Sequence, residues 1–532
     1  MNKQSIILFF ILQVIVAHAQ VLNTHLITID TTWSSDTVKI YQDIVISNGA
    51  TLQIDPGVYV EFQGNFSLDV YGKILGFGNP NDSIVFSVID HTAIDDTSSL
   101  QGGWGGIRLF TNSSDTSSFR YCRFSYGKAV VPSETWDNPN NENNKGGAVY
   151  LNGYAHLVIS NSTFYHNRAN YSGGGINIQN CISIKLLNNT FKYNIVYSDG
   201  GGGFIKSCNH SLVSENLFVW NEAFAHLPNN YIAGSGGGLS LHSNSTVVNN
   251  RFFNNNSVSG TLYFSTFRSF IYNNLIANNM GPGLLVDVWY NGNTKLINNT
   301  IVNNLGYDPV GGIYFFSKRV IMRNNIVYGN EFFQTWHEPI QVFNPYPNGD
   351  KADFAYSCNP DEPIYYEGEG NITSDPLFVN PTAGAGPEYD GLSADWSLQS
   401  NSPCINSGTP DTTGLLLPEL DLADNPRIFG NRIDMGAYEN QHVWVKINDS
   451  PAFADQIKVY PNPGTNRIMV QLSENTQEAW IELLDGTGQR VLLESVYSNL
   501  CLFTPTHLPS GIYFYRIYNR DQVFKKGKWV KL

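Results

Sequence analysis

The chain has 532 residues, with 48 Gly, 29 Tyr, 31 Phe and only 14% charged side chains. Its net charge of −14 argues against nucleic acid or anionic membrane as a general partner, since both need basic surfaces. It also weighs against polyanionic sugars unless a local Lys/Arg cluster or bound Ca²⁺ reverses the field. The six cysteines include no CxxC, which excludes zinc-ribbon and thioredoxin-like chemistry.

Residues 1–19 read as a secretory signal. Lys3 is the charged start, Ile6 to Val16 the apolar core, and Ala17-His18-Ala19 the cleavage motif before Gln20. That run is too short to span a membrane, and no later run reaches about 18 apolar residues.

Residues 20–118 predict a cap and first coils built from short strands, among them Thr51–Ile54 and Val58–Phe62, with polar and apolar residues alternating. Residues 119–345 predict the regular part. A six-residue phrase recurs seven times, beginning at Ser162, Asn189, Asn216, Asn250, Asn274, Asn299 and Asn325. Its central apolar residues are Phe164, Phe191, Phe218, Phe252, Ile276, Ile301 and Val327, separated by 27, 27, 34, 24, 25 and 26 positions. Such a period means stacked supersecondary units. A second landmark accompanies each copy: Gly146-Gly-Ala-Val149, Gly173-Gly-Gly-Ile176, Gly201-Gly-Gly-Phe204, Gly236-Gly-Gly-Leu239, and shorter forms at Gly260, Gly283 and Gly311.

One coil is therefore expected to hold two strands, one at the Gly group and one at the phrase, joined by turns. The central residues should stack as an inward column at about 4.8 Å spacing. The trailing residues Asn167, Asn194, Asn221, Asn255, Asn279, Asn304 and Asn330 suit corners, because Asn tolerates left-handed backbone and stacked amides bond along a ladder. The many Asn-x-Ser/Thr matches then belong to this ladder. Cys181 and Cys208 are one period apart, so they should meet on adjacent coils as a disulfide or as buried thiols.

Residues 346–440 are expected to hold the last coils and their closure, residues 441–455 a polar linker, and residues 456–532 a separate small β-domain of immunoglobulin-like type. Several motifs carry family resemblances. Gly49-Ala-Thr-Leu-Gln-Ile-Asp-Pro-Gly-Val58 with Phe62, and Gly102-Gly-Trp104-Gly-Gly-Ile107, resemble the initial coils of secreted parallel β-helices. Asp375-Pro-Leu-Phe378, Ser402-Pro-Cys404-Ile-Asn-Ser-Gly408 and the run from Arg427 to Glu439 resemble the terminal region of bacterial extracellular right-handed parallel β-helix proteins. In that setting Asp434 and Glu439 hold the closing loops. Val459-Tyr-Pro461-Asn-Pro463, Leu484-Asp485-Gly-Thr-Gly488, Ser510-Gly511-Ile-Tyr513 and the lysine-rich end from Lys525 resemble the type A C-terminal sorting domain of the type IX secretion system of Bacteroidetes-group bacteria. That resemblance implies export by this machinery, cleavage of the domain, and release or attachment at the outer cell surface. The expected fold class is all-β: a right-handed parallel β-helix followed by a small sandwich.

Chemistry is expected where the coils swell between the corner Asn and the next Gly group. Equivalent turns of a solenoid stack on one edge, and insertions collected on one face build binding surfaces. The candidates are Trp136, Asp137, Asp199, Glu222, His226, Tyr231, Asp308, Trp336, His337 and Glu338. Aromatic rings stack on sugar faces, and carboxylates bond hydroxyls or hold Ca²⁺, the one cofactor this edge admits. The first reading is a secreted or surface protein that binds a polysaccharide or surface glycan, or acts as an adhesin. The second is a polysaccharide lyase or glycoside hydrolase. A hydrolase needs two carboxyl groups roughly 5–10 Å apart, which Asp137, Asp199, Glu222 and Asp308 could supply. Polygalacturonase-like and pectate-lyase-like signatures are missing, and Asp95-Asp96 lies outside the regular coils. A third reading is a structural spacer.

Overall fold

The structure, a computed structural model, describes residues 19–21, 25–132, 138–226, 232–266, 268–288, 294–307, 309–316, 320–333, 340–345, 351–441, 457–472, 479–496, 498–519 and 523–532. The chain divides into two compact units, Met1–Gln441 and His442–Leu532.

The first unit is a parallel β-solenoid. Three parallel sheets of 12, 12 and 13 strands receive one strand each from successive coils. The first sheet carries the repeated phrase, for example Thr163–Tyr165, Thr190–Lys192 and Leu217–Val219. The second begins at the Gly groups, as in Ile176–Gln179 and Leu239–His242. The third holds Tyr154–Ser160, Ser183–Leu187, His210–Ser214, Ser245–Val248 and Phe270–Tyr272. Sequence reasoning expected two strands per coil, and the third sheet is a correction. Its strands run into the phrase with a single left-handed residue at the bend, such as Asn161 or Asn188, so no break is visible in the sequence.

The predicted inward column is present in register: Phe164, Phe191, Phe218, Phe252, Ile276, Ile301 and Val327 pair in turn. Rings 164, 191, 218 and 252 stack at 4.7 Å between centroids, within 5° of parallel. Gly202 lies against this column. A Cβ there would come within 2.5 Å of the Gly238 carbonyl and 2.8 Å of Phe218, which explains the glycine at the start of the second-sheet strand.

The trailing Asn residues form the expected ladder. Asn194 Nδ2 donates to Asn221 Oδ1 at 2.8 Å and to the Phe164 carbonyl at 3.0 Å, and the rungs above and below repeat this. A parallel ladder runs through the opening residues of the phrase, Asn189, Asn216, Asn250, Asn274, Asn299 and Asn325. The left-handed backbone, however, falls one residue before each trailing Asn, on His166, Tyr193, Trp220, Asn254, Asn278, Asn303 and Gly329. The trailing amides are buried and fully bonded, so their place is set by hydrogen bonding, with the bend left to the preceding residue. Cys181 and Cys208 form a disulfide with Cα atoms 4.5 Å apart.

Two further coil strands, Ala352–Ala355 and Tyr366–Glu367, extend the third sheet. The segment after them lies along the outside of the first sheet. Phe378, Trp396, Leu398, Cys404, Leu422, Met435 and Ala437 bury the outward Val219, Phe253, Ala277 and Val302. This return segment is pinned by the left-handed Asn side chains: Asn254 Nδ2 donates to the Tyr389 carbonyl at 2.7 Å, Asn278 to the Gly384 carbonyl at 2.9 Å, and Asn298 to the Asp434 carbonyl at 2.9 Å. Asp434 in turn accepts from the amides of Asn406 and Asn440, both at 2.6 Å.

The second unit has a three-stranded and a four-stranded antiparallel sheet over one apolar core that includes Ile468, Ile481, Tyr513 and Trp529. Its motifs interlock. Trp529 Nε1 donates to the Pro461 carbonyl at 3.0 Å, and Asn462 Oδ1 accepts from the Val530 amide at 3.0 Å. Lys531 is buried and donates to the carbonyls of Pro505 and Leu508 at 2.7 and 2.6 Å.

Candidate ligand-binding edge

Each coil crosses from the first to the second sheet along one edge, which carries its own short strands. Lys128–Ala129, Arg168–Ala169, Ile195–Val196, Glu222–Ala223 and Asn256–Ser257 pair in parallel. Ala129, Ala169, Val196 and Ala223 form a small buried cluster. The alternate positions Lys128, Arg168, Ile195, Glu222 and Asn256 form a second column on this edge.

A loop from an earlier coil folds onto this column. Lys128 Nζ donates to the carbonyls of Ala93, Asp96 and Gln101 at 2.7, 2.8 and 2.5 Å. Burial pulls that amine down to about 8, against the pull of Asp96. Arg168 pairs with Asp95 at 3.1 Å, and His91 stacks on Tyr126 at 4.1 Å. Asp95 thus reaches the edge although its sequence position lies outside the regular coils.

Glu222 sits two rungs from Arg168. Burial holds its carboxyl above the usual range, and Arg168 opposes the shift. The Tyr307 hydroxyl is pushed up by burial, with the Glu222 charge adding to it. Asp199 belongs to a different column, between Ser172 and Ser235, beside the second sheet. Burial raises it too, against hydrogen bonds from Ser198 and Ser235. Asp199 and Glu222 therefore have separate sets of partners. The backbone of His226 lies in a strand, Ala225–His226, paired antiparallel with Ile232–Ala233. Trp136, Asp137, Tyr231, Asp308, Trp336, His337, Glu338 and the His226 side chain lie outside the described residues, as does the signal segment 1–18. Ala19 and Gln20 begin a strand that pairs with Thr37–Lys39.

Two groups of residues, Asp199 apart, were not among the sequence candidates. The first is the corner entering the edge, where Tyr126, His166 and Tyr193 are half-buried and left-handed, with φ of 62°, 52° and 58°. His166 lies 6.0 Å from Tyr126 and 5.0 Å from Tyr193 between ring centroids. Tyr165 flanks the row, 5.9 Å from both Tyr126 and Tyr193. The signal was available in sequence, since rings stand there where later coils have Asn or Gly.

The second is a polar cluster on the outer face of the second sheet. Tyr263 donates to Asp287 Oδ2 at 2.7 Å, the Asp199 charge also bears on Tyr263, and the His242 ring lies 5.4 Å away. Ser240 Oγ meets His242 Nε2 at 3.1 Å. Burial first, then Lys206, pulls His242 down to about 4. Its folded value is below the unfolded one of about 6.5, so the unfolded chain binds the proton first. Stability owed to neutral His242 is present above pH 6.5 and is lost as pH falls toward 4. Thermal melts of the protein and of His242→Gln should diverge over that window, with the variant less acid-sensitive. Parallel melting curves would refute this.

Among the described residues no group of three or more His, Cys, Asp or Glu side chains is placed to hold a metal ion. Among them, too, no helix is long and apolar enough to cross a membrane. No curated protein matches the chain. Two family descriptions do: a right-handed β-helix region over residues 225–344, and a secretion system C-terminal sorting domain over residues 458–531. Three all-parallel sheets and an antiparallel terminal unit accord with both matches: the chain carries a right-handed parallel β-helix and a type IX C-terminal sorting domain, the mark of proteins exported to the cell surface or beyond.

Proposed function

We propose that the exported protein binds carbohydrate, as a secreted or surface-displayed adhesin, through the edge between its first and second sheets. The aromatic corner carries this reading. A non-Gly residue in left-handed backbone costs about 1–2 kcal/mol, and strain of that kind collects at functional sites. Tyr126, His166 and Tyr193 keep their rings in that conformation. Where the return segment covers the same corner, the residues are Trp220, which packs against that segment, and then Asn254, Asn278 and Asn303. Half-exposed rings in a row suit the flat faces of successive sugars, and Arg168, Glu222 and Tyr197 beside them suit hydroxyls. By their sequence positions in the crossings that follow a coil corner, Trp136 and Trp336 are assigned to the same proposed surface.

Chromatography of the mature protein on a panel of immobilised glycans tests this. His166→Ala with Tyr193→Ala should weaken retention about tenfold or more, as expected for losing 1–2 kcal/mol of ring contact. Trp136→Ala with Trp336→Ala should act in the same direction. Unchanged retention in both pairs would eliminate the edge as the site.

The cluster of Tyr263, Asp287, Asp199 and His242 favours a second reading, a polysaccharide lyase or hydrolase. Burial shifts Tyr263, Asp199 and His242, and perturbed titratable groups held together are a usual mark of acid–base chemistry. New reducing ends, or absorbance from unsaturated uronates, would establish that reading over binding alone.

A further inference from the structure

The third sheet has an outer face that neither the edge nor the return segment explains. A groove of about 470 Å³ crosses it over four successive coils. Its floor is set by register: Lys185 pairs with Leu212, Leu212 with Thr246, and Thr246 with Phe270. Continuing the neighbouring register, Ser183 lies beside His210, and Asn244 and Arg268 follow on the next two rungs. Neighbouring strands are about 4.8 Å apart, so Lys185 and Arg268 stand about 14 Å apart along the groove.

The chemistry of the lining is unusual for this chain. The protein has 45 acidic and 31 basic residues, yet the groove contains Lys185, His210 and Arg268 and no Asp or Glu. Among the described residues no carboxylate forms an ion pair with any of the three. Here the local field is reversed against the global charge. Leu212 and Phe270 offer apolar contact between the cations, and Thr246 and Asn244 offer a hydroxyl and an amide. Spaced cations, a flat apolar floor and small hydrogen-bonding groups match a chain of sugar rings bearing acidic substituents. Any polyanion meets the repulsion of the whole molecule, but a duplex nucleic acid, with one charge per about 1.7 Å of axis, meets more of it than a sugar chain charged once per ring, and an acidic peptide would make little use of the ring-sized floor.

We propose that the outer face of the third sheet is a second binding site, for an anionic polysaccharide whose carboxylate or sulfate groups pair with Lys185, His210 and Arg268. It is separate from the edge and does not depend on it.

Affinity electrophoresis of the full chain in gels containing polygalacturonate, heparin or dextran tests the proposal. Retardation should appear with at least one of the two acidic polymers, and which one distinguishes carboxylate from sulfate recognition. Lys185→Gln with Arg268→Gln should weaken it tenfold or more, and Arg268→Gln alone severalfold. Both side chains are exposed, so circular dichroism should show an unchanged fold. His166→Ala with Tyr193→Ala should leave this retardation intact, which separates failure here from failure at the edge. Absence of retardation by both acidic polymers, or equal retardation of the double variant, would overturn the assignment. So would displacement by poly-glutamate as effective as by the polysaccharide at equal charge, which would make the groove an acidic-peptide site.

Discussion

Replacing Asn255 by Leu should destabilise the solenoid by about 1–3 kcal/mol. Asn255 is fully buried and makes four bonds: Oδ1 accepts from the Asn221 amide at 3.0 Å and from Asn221 Nδ2 at 2.9 Å, while Nδ2 donates to the Phe218 carbonyl at 2.9 Å and to Asn279 Oδ1 at 3.0 Å. Leu has a similar shape and none of these groups. Two partners have alternatives, since Asn221 Nδ2 keeps the Phe191 carbonyl and Asn279 Oδ1 keeps the Asn255 amide. The Phe218 carbonyl lies in a paired strand and keeps its place in the sheet ladder beside Phe253, so the Asn221 amide is the group left without a partner, and one orphaned buried group costs about 1–3 kcal/mol. Because a coil contacts only its neighbours, the loss should be local. Hydrogen exchange should accelerate around Asn221 and Asn255 before the first coils respond. A cost under 1 kcal/mol by urea unfolding, or uniform acceleration, would show that the ladder is ornamental.

Arg427→Ala should cost about 3–5 kcal/mol, by stranding a buried carboxylate. Arg427 and Glu439 pair at 2.9 Å with almost no exposure, and Arg427 also donates to Asn273 Oδ1 at 2.7 Å. Burial already raises Glu439 to about 7, with Arg427 acting against that rise. Without the guanidinium the carboxyl should rise further and take a proton on folding. A carboxyl raised in the folded state penalises folding increasingly as pH climbs from its unfolded value, about 4.3, through its folded one. The deficit of the variant should therefore be larger at pH 8 than at pH 5. Exchange should quicken across residues 375–440 first, because the pair ties this segment to the sheet. Adding Glu439→Leu should recover much of the loss, as removing both ions often does. An equal deficit at both pH values would mean that the lost packing, and not the stranded charge, dominates.

The repeats made the inward column legible to the residue, because a column of stacked side chains forces the same residue type at each turn. The Asn ladder was legible for the same reason. Less regular parts followed other rules. The third sheet went unread because its strands join the phrase through one left-handed residue. The assignment of left-handed backbone to the trailing Asn failed because Asn serves two physical roles here, bending the chain in one place and bonding along the stack in the other. The return segment did leave a trace. The last outward position of the phrase is Tyr165 and Lys192 in early copies, then Val219, Phe253, Ala277 and Val302, which marks a covered face. For the edge, sequence placed Asp199 and Glu222 on neighbouring coils but could not say that their partners differ, nor that Asp95 arrives from a distant loop to meet Arg168. Such encounters depend on where loops fold, which no period encodes.

The doubled use of asparagine constrains where the protein can be made. Asn255-Asn-Ser257 and Asn298-Asn-Thr300 are acceptor sequences for N-linked glycosylation. In a eukaryotic secretory pathway sugar is added to the nascent chain, before the coils close. A glycan on Asn255 would take the place of a rung, and one on Asn298 would block its bonds to the Asp434 and Gly436 carbonyls. Production in yeast or insect cells should therefore yield misfolded, heavily modified chains, whereas a bacterial host, or Ser257→Ala and Thr300→Val variants, should spare the stack.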